Sequence, residues 1–267
     1  MLVVVRGAGD IASAIALRLH RCGMTVVMTE IAHPLTVRRT VAFSEAVRLG
    51  KTQVEGVMAV LARDMAHAST LLAESVIPVL VDPACACLGE LKPDVVVDAI
   101  LAKRNVGTSR DMAPVVVGVG PGFTAGVDCH AVVETMRGHT LGRVYYEGSA
   151  LPNTAVPGLV GGFAGERVLR APANGIFRGA AAIGDHVEQG QVVAYVGNMP
   201  VASTLTGTLR GLLADGVQVA RGLKCGDVDP RNNAAYCKLV SDKGLAVAGG
   251  VLEAILHVGT GVGCCPI

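Results

Sequence analysis

Apolar and polar positions change their spacing along this chain, and the changes divide it into elements. Residues Leu2–Val5 form a short, wholly apolar run of the kind buried inside a sheet. Ile11, Ile15, Leu19 and Cys22 then recur at helical spacing, which predicts a helix over 10–22 that ends at Gly23. A second strand is predicted at Thr25–Thr29, weaker ones at Val41–Phe43 and Gln53–Val54, and a helix over Met58–Ala73. Ile77–Val81, Val95–Ala99 and Val115–Val119 are compact β-branched runs bounded by Pro, Asp or Gly. A helix around 128–137 and a strand at 143–147 complete this half. Continuous apolar strands separated by helical stretches imply an α/β unit: a Rossmann-like parallel sheet with helices on both faces, spanning 1–150.

Beyond residue 165 the text becomes short strands and glycine turns, and it repeats. Gly175-Ile176-Phe177-Arg178 aligns with Gly207-Thr208-Leu209-Arg210 at an offset that also maps Gly184 onto Gly216, Val187 onto Val219 and Gly190 onto Gly222. Two hairpin units related by a pseudo-twofold axis would each supply half of a small sandwich core. The segment Gly184-Asp185-His186-Val187-Glu188-Gln189-Gly190 resembles the first half of the barrel-sandwich hybrid of biotinyl and lipoyl carriers. The resemblance implies a small all-β barrel-sandwich-hybrid domain over 165–230. Carriers of that type hold a modified lysine between their halves, and the corresponding turn here, Gly197–Val201, has none. Covalent lipoyl or biotin attachment is therefore excluded. Leu245, Ala248, Val251, Leu252 and Ile255 keep helical spacing, so a C-terminal helix packs back on the molecule within a last segment, 231–267.

Composition narrows the function classes. A formal charge of +1, no Trp and four residues each of Phe and Tyr leave neither the basic field nor the stacking surface of a nucleic-acid binder. No apolar run reaches the roughly 18–20 residues of a membrane helix. The N-terminus runs straight into a strand rather than a basic-then-apolar leader, which suggests a cytoplasmic protein. Eight cysteines include C-x-C and C-C spacings but no C-x-x-C pair, so most are expected to be small buried hydrophobes or free thiols. The vicinal Cys264-Cys265 pair, on a glycine-rich tail, is the candidate for redox or sulfur-carrying chemistry.

The strongest chemical signal is Gly7-Ala8-Gly9-Asp10-Ile11-Ala12, which follows a strand and opens a helix. In that context Gly7 permits a tight turn, Gly9 lets backbone approach a pyrophosphate, and Ala12 allows close helix–strand contact. The helix N-terminus then favours phosphate, and Glu30 at the end of the second strand is placed to accept from ribose hydroxyls. Asp10 competes for the same N–H groups or serves as a cap. A second glycine loop, with Gly118, Gly120 and Gly122, would face the same crevice and hold the other half of a dinucleotide. His130 and Glu134 lie at i, i+4 and read as a helix-surface pair. Arg38-Arg39, Asp98 and Lys103-Arg104 follow strand ends, where they could face a phosphate or the solvent. No metal site and no Ser-His-Asp order stands out.

Seven segments together resemble the YqeB-type family: VRGAGDIA (5–12), RTVAFSEA (39–46), VEGV (54–57), GVGPGFTAGVD (118–128), LRAP (169–172), LRGL (209–212) and GGVLEA (249–254). Ala8 departs from a third glycine carried by many relatives. The resemblance implies an accessory factor for maturation of a selenium-dependent molybdenum hydroxylase, related in role to XdhC/CoxI factors, with that hydroxylase as partner. It also implies NAD(P) or a molybdenum pterin dinucleotide at the first glycine loop. Two alternatives stand beside it: an NAD(P)-dependent oxidoreductase acting on a small molecule, and a ligand-free scaffold. Whether the chain is an enzyme, and whether it forms a homo-oligomer, stay open at this stage.

Overall fold

The computed structural model describes residues 1–259. Its first part contains β1 (Leu2–Arg6), α1 (Asp10–Arg21), β2 (Thr25–Glu30), α2 (Glu45–Leu49), β3 (Lys51–Val54), β4 (Val57–Leu61) and α3 (Met65–Ala73). There follow β5 (Ile77–Val81), α4 (Leu88–Leu91), β6 (Val95–Asp98), β7 (Val115–Val119), β8 (Ala131–Val133) and β9 (Val144–Tyr145). They make one nine-stranded sheet in the order β3-β4-β5-β2-β1-β6-β7-β8-β9.

That sheet is mixed, which corrects the expectation of an all-parallel Rossmann-like sheet. The strands from β4 to β8 run parallel, but β3 and β9 pair antiparallel at the two edges. The first departure has a local cause. Glu55 and Gly56 both take positive φ, 44° and 89°, and close a tight two-residue hairpin between β3 and β4. Val57–Leu61 is thereby drawn into the sheet, so the helix expected over Met58–Ala73 starts only at Met65, where the Asp64 side chain caps it by accepting from His67 N. The helix expected at 128–137 does not form. His130 N donates to Val116 O at 2.8 Å, and its imidazole Nδ1 accepts from Val116 N at 2.9 Å, which aligns the chain as β8.

The central strands are apolar at consecutive positions because both faces are covered. Val3 and Val5 of β1 pack with α1 toward one side, while Val4 packs with Leu71 of α3 and Leu80 on the other.

The second part holds β10 (Val168–Arg170), β11 (Gly175–Gly179), β12 (His186–Val187), β13 (Val192–Val196), β14 (Met199–Ala202), β15 (Gly207–Leu212), β16 (Gln218–Val219) and β17 (Lys224–Asp229). They form two four-stranded antiparallel sheets, β10-β17-β15-β12 and β14-β13-β11-β16. The sequence repeat appears as an exchange of strands: β12 of the first unit pairs with β15 of the second, and β16 of the second with β11 of the first.

This part is not a distinct barrel-sandwich-hybrid domain, a second correction. The segment after β2 is built into it: Leu212 N donates to Val37 O at 2.7 Å, Arg39 Nε donates to Leu212 O at 2.7 Å, and Val37 packs on its core. The chain then returns as α5 (Asp242–Gly259), whose Val247, Val251 and Ile255 lie in the same core as α1.

Candidate functional site

The path of the chain creates a crevice at the carboxyl ends of the strands. From β1 it passes to β2, runs out to the edge hairpin β3–β4, comes back to β5, and then crosses to β6 and β7 on the other side. The point of reversal between β1 and β6 is where open α/β sheets bind ligands. The glycine loop leaves β1 there. Gly7 has φ +92°, and a Cβ on it would lie 3.1 Å from Ala99 O and 3.2 Å from Ile100 Cα, so both backbone conformation and the neighbouring strand end require glycine. Ala8 is buried; its N–H donates to Glu30 Oε2 at 2.9 Å and its carbonyl accepts from Ser44 N at 2.8 Å.

Gly9 differs. Its φ is −66°, and an added Cβ would touch only Thr36 Oγ1, at an ordinary 3.6 Å. Asp10 is half-buried at the first turn of α1, 3.9 Å from Arg38 Nη1. Ile11 and Ala12 point into the core, leaving only their backbone toward the loop.

Glu30 meets the loop directly, with Oε2 on Ala8 N and Oε1 on Ile31 N at 2.8 Å. Burial raises its carboxyl above the ordinary range, against the lowering effect of those two N–H groups. Its carboxylate has accepting positions beyond these two bonds. Around it Ile31, Leu35, Val81 and Ile100 leave aliphatic surface exposed at the ends of β2, β5 and β6.

The second glycine loop lies two strands away, since Arg6, Asp98 and Gly118 are in register across β1, β6 and β7. Gly118, Gly120 and Gly122 each answer to a protein neighbour. Gly118 is covered by the Phe123 ring, Gly120 (φ +83°) by Thr135, and Gly122 (φ +110°) by the Arg104 backbone, 2.5 Å from where a Cβ would stand. The loop is thus packed against the segment after β6.

Other residues singled out from sequence have structural work. Asp98 is buried against Arg6 Nη1 at 3.1 Å and accepts from Thr108 Oγ1 at 2.5 Å. Arg38 is buried and donates to the carbonyls of Tyr236 and Leu239, and Arg39 reaches Leu212 O and Glu45. Lys103 and Arg104 are exposed. Glu134 is fully buried and accepts from the backbone of Thr135, Met136 and Leu151, so it forms no helix-surface pair with His130. Cys264 and Cys265 lie outside the described residues.

Sequence reasoning missed Arg6, Thr29, Asp82, Cys85 and Cys87, which gather beside the loop; the C-x-C spacing was their one visible sign. Surface concavities occur elsewhere too: about 230 Å³ beside His20, Gly23 and Val76, and about 490 Å³ beside Arg48, Gln53 and Lys238. Among the described residues no group of three or more His, Cys, Asp or Glu is placed to hold a metal, and no helix is long and apolar enough to cross a membrane.

No protein-family model matches the chain. It is 55% identical over 255 residues to the "Uncharacterized protein YqeB" of Escherichia coli (strain K12), covering 96% of this chain and 47% of that protein. The chain therefore spans about half the length of the curated relative it matches. Two solved structures align at low similarity. One is an aspartoacylase family protein from Mesorhizobium loti (13% identity, 85% of this chain and 84% of that one, TM-score 0.27). The other is a succinylglutamate desuccinylase/aspartoacylase from Rhodobacter sphaeroides (15% identity, 84% and 86%, TM-score 0.24). At these scores neither assigns a fold or an activity. The accessory role in molybdenum hydroxylase maturation implied by the family resemblance does not stand: the relative's name states no activity, and no family model supplies one.

Proposed function

We propose that the chain binds a pyrophosphate-bearing dinucleotide, NAD(P) or a pterin dinucleotide, across the β1–α1 loop. One observation carries the proposal: Gly9 is a glycine the fold does not need. Gly7 is accounted for by its φ and by Ala99, whereas position 9 has ordinary dihedrals and room for a methyl group. A bare backbone at the head of α1 is what close approach of a phosphate requires.

The residues fit such a group. The backbone of Gly9–Ala12 would meet the pyrophosphate, Glu30 the ribose hydroxyls, and the aliphatic rim of Ile31, Leu35 and Ile100 a flat ring. A carboxylate at position 30 favours NAD over NADP, because it repels a 2′-phosphate. Free thiols at all six described cysteines support a reducing, cytoplasmic setting.

Calorimetric titration and thermal melts with NAD, NADP and a pterin dinucleotide test this. Saturating ligand should stabilise the protein by about 2.7 kcal/mol at a hundredfold excess over Kd. Gly9→Asp supplies a good N-cap, so its melting temperature should hold or rise while binding is lost. Absence of any shift with the three ligands, or undiminished binding by Gly9→Asp, refutes the site.

A further inference from the structure

The loop after β5 holds chemistry that nucleotide binding does not use. Asp82 organises it: its side chain accepts from Ala86 N at 2.9 Å and Cys87 N at 2.8 Å, its carbonyl accepts from Cys85 N, and its own N–H donates to Glu30 O. Cys85 is held at φ +59°, a left-handed conformation that costs a non-glycine residue roughly 1–2 kcal/mol. Strain of this kind persists where surroundings over-determine it, and it gathers at functional sites. Leu88 N closes the turn on Cys85 O. Such a turn keeps residues i and i+2 inside the roughly 4.4–6.8 Å Cα separation that disulfides span.

The two sulfurs are free and unequal. The Cys87 thiol is hydrogen-bonded to Cys85, which pulls Cys85 below the ordinary thiol range; the nearby Arg6 charge and the Thr29 hydroxyl act the same way, against burial. Cys87 is pushed up by that same bond, by burial and by Asp82. One sulfur accepts and the other keeps its proton. Arg6 is itself buried, and its Nε has no acceptor among the described residues. The buried Cys129 and Cys225 make the contrast, since burial pushes each up to about 11. Cys85 and Cys87 are buried, but the neighbours Ala84 and Ala86 in the same turn are exposed.

We propose that Cys85 and Cys87 form a hydroperoxide-reactive dithiol, with Cys85 as nucleophile and Cys87 as the resolving thiol. The Cys85 sulfur attacks one peroxide oxygen; an S–O bond forms, the O–O bond breaks, and the leaving oxygen takes a proton to become water. The Cys87 sulfur then attacks the sulfenic sulfur of Cys85. The S–S bond forms as S–O breaks, and the Cys87 proton leaves with the hydroxyl as a second water. Two thiols lose two electrons and hydrogen peroxide is reduced to two waters.

Peptide mapping of the full chain decides this. The reduced protein is dosed with hydrogen peroxide, then unfolded in guanidinium containing N-ethylmaleimide so that every remaining thiol is labelled, and digested. The peptide containing residues 85–87 should lose both maleimide adducts and two hydrogens, and dithiothreitol should restore them. It should do so at doses that leave the exposed Cys22 alkylated, and about tenfold or more ahead of it. In Cys87→Ser, dimedone should trap a sulfenic acid on Cys85; in Cys85→Ser, Cys87 should stay reduced. A wild-type peptide that keeps both maleimides while Cys22 is oxidised overturns the proposal without any variant, as does equal oxidation of the two serine variants. None of these readouts depends on nucleotide, so failure here leaves the Gly9 site standing.

Discussion

Two glycines two residues apart answer to different demands. Alanine at position 7 would need a left-handed backbone and would press on Ala99 O, so Gly7→Ala should cost about 1–2 kcal/mol or more. Alanine at position 9 meets only Thr36 Oγ1, so Gly9→Ala should lose no more than the poorer N-cap costs, under about 1 kcal/mol. Urea unfolding of both variants measures this, and equal losses would show that position 9 is structural after all. The motif in the sequence treats the two glycines alike; only φ and the identity of the neighbour separate them. Glu30 was visible because it ends a strand that must lie beside β1. Arg6 was not, because its partners Asp98 and Thr108 lie 92 and 102 residues away and nothing local marks them.

At the scale of elements, α5 lies against α1 and the sheet through small residues. A Cβ on Gly250 would stand 2.2 Å from Gly142 O, whereas one on the preceding Gly249 would meet only the tip of Arg18, at 3.8 Å. Alanine in a helix interior gains up to about 1 kcal/mol over glycine. Gly249→Ala should therefore raise the melting temperature. Gly250→Ala should lower it, since overpacking of this kind costs about 1–3 kcal/mol and exceeds the propensity gain. Thermal melts of the pair decide it, and stabilisation by both would mean that α5 sits farther from the 142 turn. The helix itself was legible from its spacing, as were the β-branched strands. Helical spacing misled at 58–73 and 128–137, where a two-residue turn and a histidine accepting from the β7 backbone overrule periodicity.

Across the whole molecule, the repeat announced two matched units but neither the exchanged pairing of β11–β12 with β15–β16 nor what joins this part to the large sheet. Buried charge lies at that join. Asp227 pairs with Arg167 at 2.9 Å and Arg210 at 2.5 Å, Asp229 pairs with Arg210 and Arg231, and Arg38 bonds across to Tyr236 O. Burial opposes ionisation of Asp227, yet Lys224, Arg210 and Arg167 hold its carboxyl below the ordinary value of 3.8. Asp229 is likewise held low, by Arg231 and Arg210 against its own burial. A carboxyl whose folded value lies below its unfolded value stabilises the fold above the unfolded value, and that contribution fades as pH falls through the folded one. Thermal stability should therefore be level from neutrality to about pH 5 and then decline as these aspartates gain protons. Asp227→Asn leaves the buried Arg167 without a carboxylate partner among the described residues and Arg210 with Asp229 alone, so it should cost about 3–5 kcal/mol at neutral pH and flatten the decline below pH 4. Adding Arg167→Met should return part of that loss, because Arg167 pairs with no other described carboxylate whereas Arg210 keeps Asp229. Melts of the three proteins between pH 7 and 3 test the join: an Asp227→Asn variant with the parent's acid slope would place the pH sensitivity elsewhere.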